Sequence, residues 1–485
     1  MAPMSAVIER VHAASGKRAA AITLSLALVS MAAGAPMAVM MGALPAIAAS
    51  VNASPTQAGW FLTGPLLVTA VTLPLMARAG TLYGNRLVST GLLVVGVIGS
   101  LIAAIASSAA MIIVAMCVIG VGLVIPVMAF AMVAEHLDTR RRATAIGVLG
   151  GSYYVASGLT SLATGPILDH LSFRWLFAGI AAVFALSAAA LVSTVPAHGA
   201  RQKGRLDWGG AGIVAIAIGA MLLAATEAPS WGWFSMRTLG VAVVGVVVLV
   251  VWVQFERSVE KRGDVPLISV QLGKNPAVLG AAVAALFATA VMYGFVVMVN
   301  YFAATDPVVG YGFGLSSTDT TRMFVLVSAC AAVGSFAVGQ LDRWVDPKWT
   351  LLLAALLLVA ACVFILLLHT QVWHVWVTEA IFGVASGLGY AGFANFMVRH
   401  VIPVEVGPAT SMNFLAQSLG GAVGTSVLAA VLMAGTDVTS SITNKGAYIT
   451  SWIVCLGASA LFALIALWLP RARRIVGHDD AFARA

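Results

Sequence analysis

Residues 119–151 read IGVGLVIPVMAFAMVAEHLDTRRRATAIGVLGG, and residues 386–421 read SGLGYAGFANFMVRHVIPVEVGPATSMNFLAQSLGG. In each stretch a glycine-rich apolar run ends in charged residues. An Ala-Thr pair follows (Ala143-Thr144, Ala409-Thr410), then a Gly-Gly (Gly150-Gly151, Gly420-Gly421). Each stretch is therefore a junction where one apolar helix ends at a polar boundary and another begins. Its recurrence far along the chain points to an internal repeat.

Working outward from these junctions, apolar runs long enough to cross a bilayer, about 20 residues each, occur at 19–49, 58–76, 87–107, 111–133, 143–165, 175–195, 208–225, 238–255, 276–302, 322–340, 349–369, 373–396, 411–434 and 448–469. The third and fourth meet in a tight hairpin near Ser107-Ser108. The chain is 61% hydrophobic and 9% charged over 485 residues, against about a quarter charged for soluble domains. Such a surface requires lipid as its solvent. The second junction lies eight spans after the first, so the simplest parse is two matched six-span halves, spans 1–6 and 9–14, with spans 7 and 8 inserted. Repeated halves around a central site are the mark of rocking transporters.

Charge placement sets the expected orientation. With the N-terminus in the cytoplasm, only Arg174, Arg237, Arg322 and Lys445 of the 26 lysines and arginines fall outside. That bias follows the positive-inside rule and puts both termini in the cytoplasm. Trp60, Trp231, Trp233, Trp373 and Trp376 fall at outer span ends, and Trp208, Trp344 and Trp349 at inner ends, as interface anchors do. The net charge of +8 resides in short loops and builds no basic face for nucleic acid. Cys117, Cys330, Cys362 and Cys455 sit in apolar runs without CxxC spacing and read as small buried hydrophobes. The first apolar run reads as an uncleaved span rather than a signal peptide. No Walker motif, metal-ligand spacing or nucleophile constellation is present, so neither an enzyme nor a cofactor is expected.

Several short motifs resemble those of the 14-span drug:proton antiporter branch of the major facilitator superfamily. They are Ala43-Leu44-Pro45-Ala46-Ile47 with Gln57-Ala58-Gly59-Trp60, Phe173-Arg174-Trp175, Gly310 to Ser316, and Val404-Glu405-Val406-Gly407 running into Gly420-Gly421. The resemblance covers nearly the whole chain. It implies an all-α membrane protein with 14 transmembrane helices in the major facilitator fold, two six-helix bundles plus two inserted helices. The expected boundaries are a cytoplasmic N-terminal segment at 1–18, bundles at 19–195 and 276–469, the inserted pair at 208–255 and a cytoplasmic tail at 470–485. The departures bear on proton coupling. Thr81 stands where the family's loop after span 2 carries Asp, and Pro36 and Met116 stand where it carries a span-1 Asp and a span-4 Arg. Thr160-Ser161 stand near its span-5 Gly-Pro, and Gly165-Pro166 is displaced. The later half keeps a partial loop motif, Gly339-Gln340-Leu341-Asp342-Arg343.

An acid at the bilayer centre costs about 2.5–3.5 kcal/mol on insertion scales, so acids inside spans are the first candidates for function. Glu379, in WVTEAIFG of span 12, is the expected proton-coupling residue, a wet interfacial glutamate being the plainer alternative. Glu227 and Asp306, at outer span ends, are expected to be solvated. The resemblance assigns spans 1, 2, 4, 5, 9, 10, 12 and 13 to a central cavity. Cavity candidates on these spans are Met37, Met41, Thr63, Tyr153, Tyr154, Asn300, Tyr301, Tyr390, Asn395, Asn413 and Gln417. Methionine and aromatic walls suit an adaptable apolar pocket, and aromatic faces also hold cations. Helix packing is the competing explanation for each methionine, and a helix–helix hydrogen bond for Asn413 and Gln417. Arg78, Glu135, Arg140, Asp342 and Arg343 are candidates for a cytoplasmic gate. Pro36, Pro65, Pro74 and Pro126 are placed to bend their helices.

The expectation is a monomeric secondary exporter of the inner membrane. It moves small hydrophobic or cationic compounds, drugs or a secreted metabolite, by alternating access, driven by protons. Two alternatives stay open: a lipid or hydrophobic-metabolite transporter without standard proton antiport, and a membrane sensor or scaffold that moves nothing.

Overall fold

The computed structural model describes residues 16–53, 55–197, 206–261, 270–402, 405–436 and 443–471. Fourteen long helices account for most of them: α1 Gly16–Ser50, α2 Pro55–Tyr83, α3 Asn85–Ala104, α4 Ala109–His136, α5 Thr139–His170, α6 Arg174–Thr194, α7 Trp208–Trp231, α8 Met236–Lys261, α9 Pro276–Ala304, α10 Ser317–Trp344, α11 Pro347–Leu367, α12 Val372–His400, α13 Val406–Ala434 and α14 Lys445–Trp468. In lipid every backbone N–H and C=O must find its partner inside the segment, which a helix alone achieves for a single span. Thirteen of the fourteen are long and apolar enough to cross a membrane.

The exception is α5, which carries GVLGGSYYVASGLTSLATG in its middle. It is packed between α1 and α10, so small and polar residues face protein rather than lipid and lower its hydropathy. At the opposite extreme, α8 packs chiefly on α7 and presents half-exposed Val243, Val247, Val250 and Val251 outward.

Polar caps mark where the chain re-enters helix. Asp138 accepts from the Arg141 N–H at 3.0 Å, Asp346 from Lys348 at 3.0 Å and Asn444 from Ala447 at 2.8 Å. A capping box joins Ser316 and Asp319. Each cap satisfies a first-turn donor that would otherwise lack a partner, a contribution of about 1 kcal/mol. The one interruption within a span is the turn at Leu123–Val124 in α4, directly before Pro126. The proline supplies no N–H to the ladder there.

Helix ends are stitched in antiparallel pairs. Thr194 at the end of α6 donates to Ser25 near the start of α1 at 2.7 Å, Arg86 at the start of α3 donates to the Val192 carbonyl at 2.7 Å, and Lys348 at the start of α11 donates to the Leu467 carbonyl at 2.7 Å. The start of α1 and the end of α14 thus lie on one face, called the terminal face below; the opposite one is the far face. The helix neighbours repeat with an offset of eight. α5 packs on α1, α10 and α12, and α13 packs on α9, α2 and α4; α3 packs on α4 and α6, and α11 on α12 and α14. The pair α7–α8 has no counterpart, and α7 packs against both α2 and α13. All four cysteines are free. Of the expected terminal segments, residues 1–15 and 472–485 lie outside the described residues.

Candidate substrate cavity

Between the two sets of helices lies a cavity of about 370 Å³. Its wall comes from α1 (Ala33, Met37), α2 (Trp60, Thr63, Thr69), α4 (Leu123, Pro126), α5 (Tyr153, Tyr154, Ser157), α7 (Leu222, Thr226, Glu227), α9 (Met292, Tyr293), α10 (Phe324, Ser328), α12 (Ser386, Tyr390, Phe393) and α13 (Phe414, Gln417, Thr425). The break in α4 opens directly onto this space through Leu123 and Pro126. The lining residues nearest to helix ends are Trp60, Glu227 and Phe324, and all lie toward the far face.

On the side nearer the terminal face the cavity is bounded by tyrosines. Tyr153 stacks on Tyr390 with centroids 5.2 Å apart, and Tyr154 meets both rings edge-on at 5.4 and 5.8 Å. Phe130 of α4 and Phe414 of α13 flank Tyr390 at 6.1 and 6.0 Å. The Tyr154 hydroxyl donates to the Ser386 carbonyl at 3.3 Å. This cluster joins α4 and α5 to α12 and α13. Beyond it, α5 and α10 approach until their backbones meet. A Cβ on Gly147 would lie 2.7 Å from the Ser335 carbonyl oxygen, and one on Gly339 2.7 Å from the Thr144 Cα. No side chain fits in either place, so α5 and α10 are in direct backbone contact on the terminal-face side.

Three of the charged residues expected at the gate have described side chains. Glu135 accepts from the Asn85 amide at 2.6 Å, joining α4 to α3. Arg78 is buried, donates to Thr81 at 3.1 Å and interacts electrostatically with Glu256 of α8. Asp342 accepts from Thr350 and Asn395, and its carbonyl accepts from Arg399 at 2.8 Å. The hydrogen bonds tie α3 to α4 and α10 to α11 and α12, and the Arg78–Glu256 electrostatic interaction links α2 to α8; none of these joins α1–α6 to α9–α14. The side chains of Arg140, Arg343 and Met41 lie outside the described residues.

Of the expected cavity residues, Met37, Thr63, Tyr153, Tyr154, Tyr390 and Gln417 line the space. Asn413 stands behind the wall, donating to the Ala281 carbonyl at 3.2 Å and accepting from Gln417 at 2.6 Å. Asn395 belongs to the Asp342 cluster. Asn300 donates to the Val296 carbonyl at 2.8 Å, away from the cavity. Tyr301 is 59% exposed on the outside of α9; Tyr293, two turns earlier on that helix, is the one turned to the cavity. Glu379 is fully buried, and neither carboxylate oxygen has a hydrogen-bond partner among the described residues. It lies one turn before Gly383 on the row that packs on α10 at Val327, not on the cavity wall. The sequence reading missed Tyr293, Glu256 and the participation of α7. A tyrosine on an assigned span was a usable signal for the first; nothing local marked the other two.

A two-sided bundle of long apolar helices around a central cavity is the architecture of a membrane transporter. Residues 26–207 and 281–481 match the family described as Major Facilitator Superfamily, and the chain belongs to that family. It is a multi-pass membrane protein carrying a small-molecule substrate. It is 25% identical over 390 residues to the multidrug transporter protein MdtP of Bacillus subtilis (strain 168), a match covering 77% of this chain and 68% of that one. It is 28% identical over 244 residues to the MFS-type efflux pump LUC4 of Fusarium sp, covering 48% of this chain and 42% of the pump, less than half its length. The solved structure of the proton:xylose symporter XylE superposes with a TM-score of 0.66 at 13% identity, covering 95% of this chain and 98% of that one.

Proposed function

We propose that this transporter exports small hydrophobic or cationic compounds, drugs or a secreted metabolite, from the cell by alternating access. It is proposed to act as a monomer in the inner membrane, with both termini cytoplasmic and the terminal face inward. The observation that carries the reading is a cavity walled by α1, α2, α4 and α5 on one side and α9, α10, α12 and α13 on the other, with α5 and α10 in backbone contact on its terminal-face side. Rocking of 19–195 against 276–469 about that cavity would part α5 from α10 and open the opposite entrance. The description of LUC4 as an efflux pump supports the direction, export.

The proton gradient is the proposed energy source, with Glu379 as its carrier. An ionised carboxylate in that dry, unpartnered position is costly, and the neutral acid much less so. Rocking that wets Glu379 lets it release its proton, and the return stroke takes one up. Purified protein in proteoliposomes tests this directly. Uptake of a dye into inside-out vesicles should rise about tenfold or more when a pH gradient is imposed, and Glu379→Gln should abolish that rise while leaving dye exchange without a gradient. Equal wild-type rates with and without the gradient would exclude antiport. They would favour the second reading, movement of a lipid or hydrophobic metabolite without protons. That reading draws on fully buried Met116 and on Pro36 standing where related antiporters carry charge.

A further inference from the structure

Among the described residues that line the cavity, Glu227 is the single charged one. No hydrogen bond or ion pair joins it to any described side chain, and unlike Glu379 it is part of the cavity surface. The nearest cation in sequence, Arg237, has its guanidinium 4.0 Å over the Trp231 ring. The rest of the wall is apolar, aromatic or neutral polar, with four tyrosines, Tyr153, Tyr154, Tyr293 and Tyr390. A net charge of +8 for the chain makes a wall bearing only a negative charge a local exception.

We propose that Glu227 is the charge-selecting residue of the substrate site, and that the inserted helix α7 is therefore part of that site. The ligand it fits is an amphiphile with one positive charge. Its cationic centre would sit by Glu227 toward the far face, and its apolar body against the tyrosines and Met37. A carboxylate in a partly enclosed apolar cavity attracts a cation far more strongly than one in open water, because little solvent screens it. The same field repels anionic amphiphiles. α7 packs on both α2 and α13, helices from opposite sides of the cavity, so the charge moves relative to one wall whenever the halves rock. The binding of a cation is thereby sensitive to which face is open.

This inference rests on the reading of the cavity as the substrate site, and the test separates the two. Tetraphenylphosphonium and the neutral, similarly shaped triphenylphosphine oxide are titrated into detergent-solubilised full-length protein by calorimetry. Glu227→Gln should raise the Kd for tetraphenylphosphonium at least about tenfold, equivalent to about 1.4 kcal/mol, and change that of the oxide by less than about twofold. Glu227→Asp, which keeps the charge, should restore most of the cation affinity. Tyr390→Ala should weaken both probes. Unchanged tetraphenylphosphonium binding in Glu227→Gln, with both probes weakened in Tyr390→Ala, would overturn the role of Glu227 and leave the cavity reading intact. If neither variant altered either probe, both would fall. Equal loss of both probes in Glu227→Gln would make the residue structural and also overturn the proposal.

Discussion

Five acids inside or at the ends of spans divide by what surrounds them. Glu135 and Asp342 are each held by amide or hydroxyl donors on a neighbouring helix, and Glu256 faces Arg78. All three are structural in the sense that their removal strands a buried donor or charge. Glu379 and Glu227 have no such partner among the described residues, and they differ from each other in surroundings: one is sealed in protein and one faces the cavity. These two are the residues proposed above for the charge-dependent steps of transport. A different titratable group acts on stability. His369, between α11 and α12, packs against the Phe302 and Trp452 rings. Burial first, and the Lys445 ammonium second, hold it below its usual 6.5. The folded state then binds this proton less well than the unfolded chain, so stability is full above about pH 6.5 and falls as the pH drops from there through the lowered value. Replacing it by glutamine should shrink the fall in melting temperature between pH 8 and pH 5, measured by intrinsic fluorescence in detergent. Parallel pH profiles for the two proteins would count against this assignment.

At the scale of elements, the crossing of α5 and α10 is proposed to set which face is closed. Its contact surface is backbone: Gly147 and Gly339 leave room for the opposing chain and nothing else. Small residues permit such approaches in membranes, where close packing stands in for the hydrophobic effect between helices. Gly339→Val should therefore keep α5 and α10 apart without unfolding either bundle, because both helices could separate by rocking. The expected result is a higher rate of labelling at a cysteine introduced at Ser328 by a membrane-impermeant maleimide added from the terminal face, with transport reduced at least tenfold. Labelling no faster than in the unsubstituted glycine background would show that the crossing tolerates the added bulk and is not the seal. The repeated junctions place a glycine pair on each of α5 and α13. Gly150-Gly151 faces Ser335 and Phe336 on α10, and Gly420-Gly421 faces Leu286 and Tyr293 on α9, so equivalent glycine pairs serve non-equivalent neighbours.

At the scale of the whole molecule, α1–α6 and α9–α14 meet through α5 with α10 and α12, and through α13 with α2 and α4. The hydrogen-bonded charge clusters described above lie within one set, the Arg78–Glu256 interaction links α2 to α8, and none of them spans the interface between the sets. Rigid units joined by a polar-poor, small-residue interface are suited to rocking. Spin labels near the terminal-face ends of α5 and α10 should give one short distance when the far face is open, and a second population several ångströms longer on addition of a transported cation at saturating concentration. A single unchanged distance under both conditions would argue against rocking. The inserted pair is the part that departs from this symmetry. α8 is exposed over much of its surface, whereas α7 contributes Leu222, Thr226 and Glu227 to the cavity wall.

The count and order of the spans were legible in the chain itself. Hydropathy over about 20 residues and charge at the junctions are local properties, and lipid rewards them wherever the helix ends up. The eightfold offset was visible too, in Ala143-Thr144 and Ala409-Thr410. Which side chains face the cavity was not. Tyr293 and Tyr301 lie on the same apolar helix, one lining the cavity and the other on the outside, and Asn395 differs from Tyr390 by little more than a turn yet serves a structural cluster. Lipid and packed helices are equally apolar, so no hydropathy pattern records how each helix is rotated. Only the contacts between helices decided that, and with it the burial of Glu379, the place of Glu227 in the wall and the backbone contact between α5 and α10.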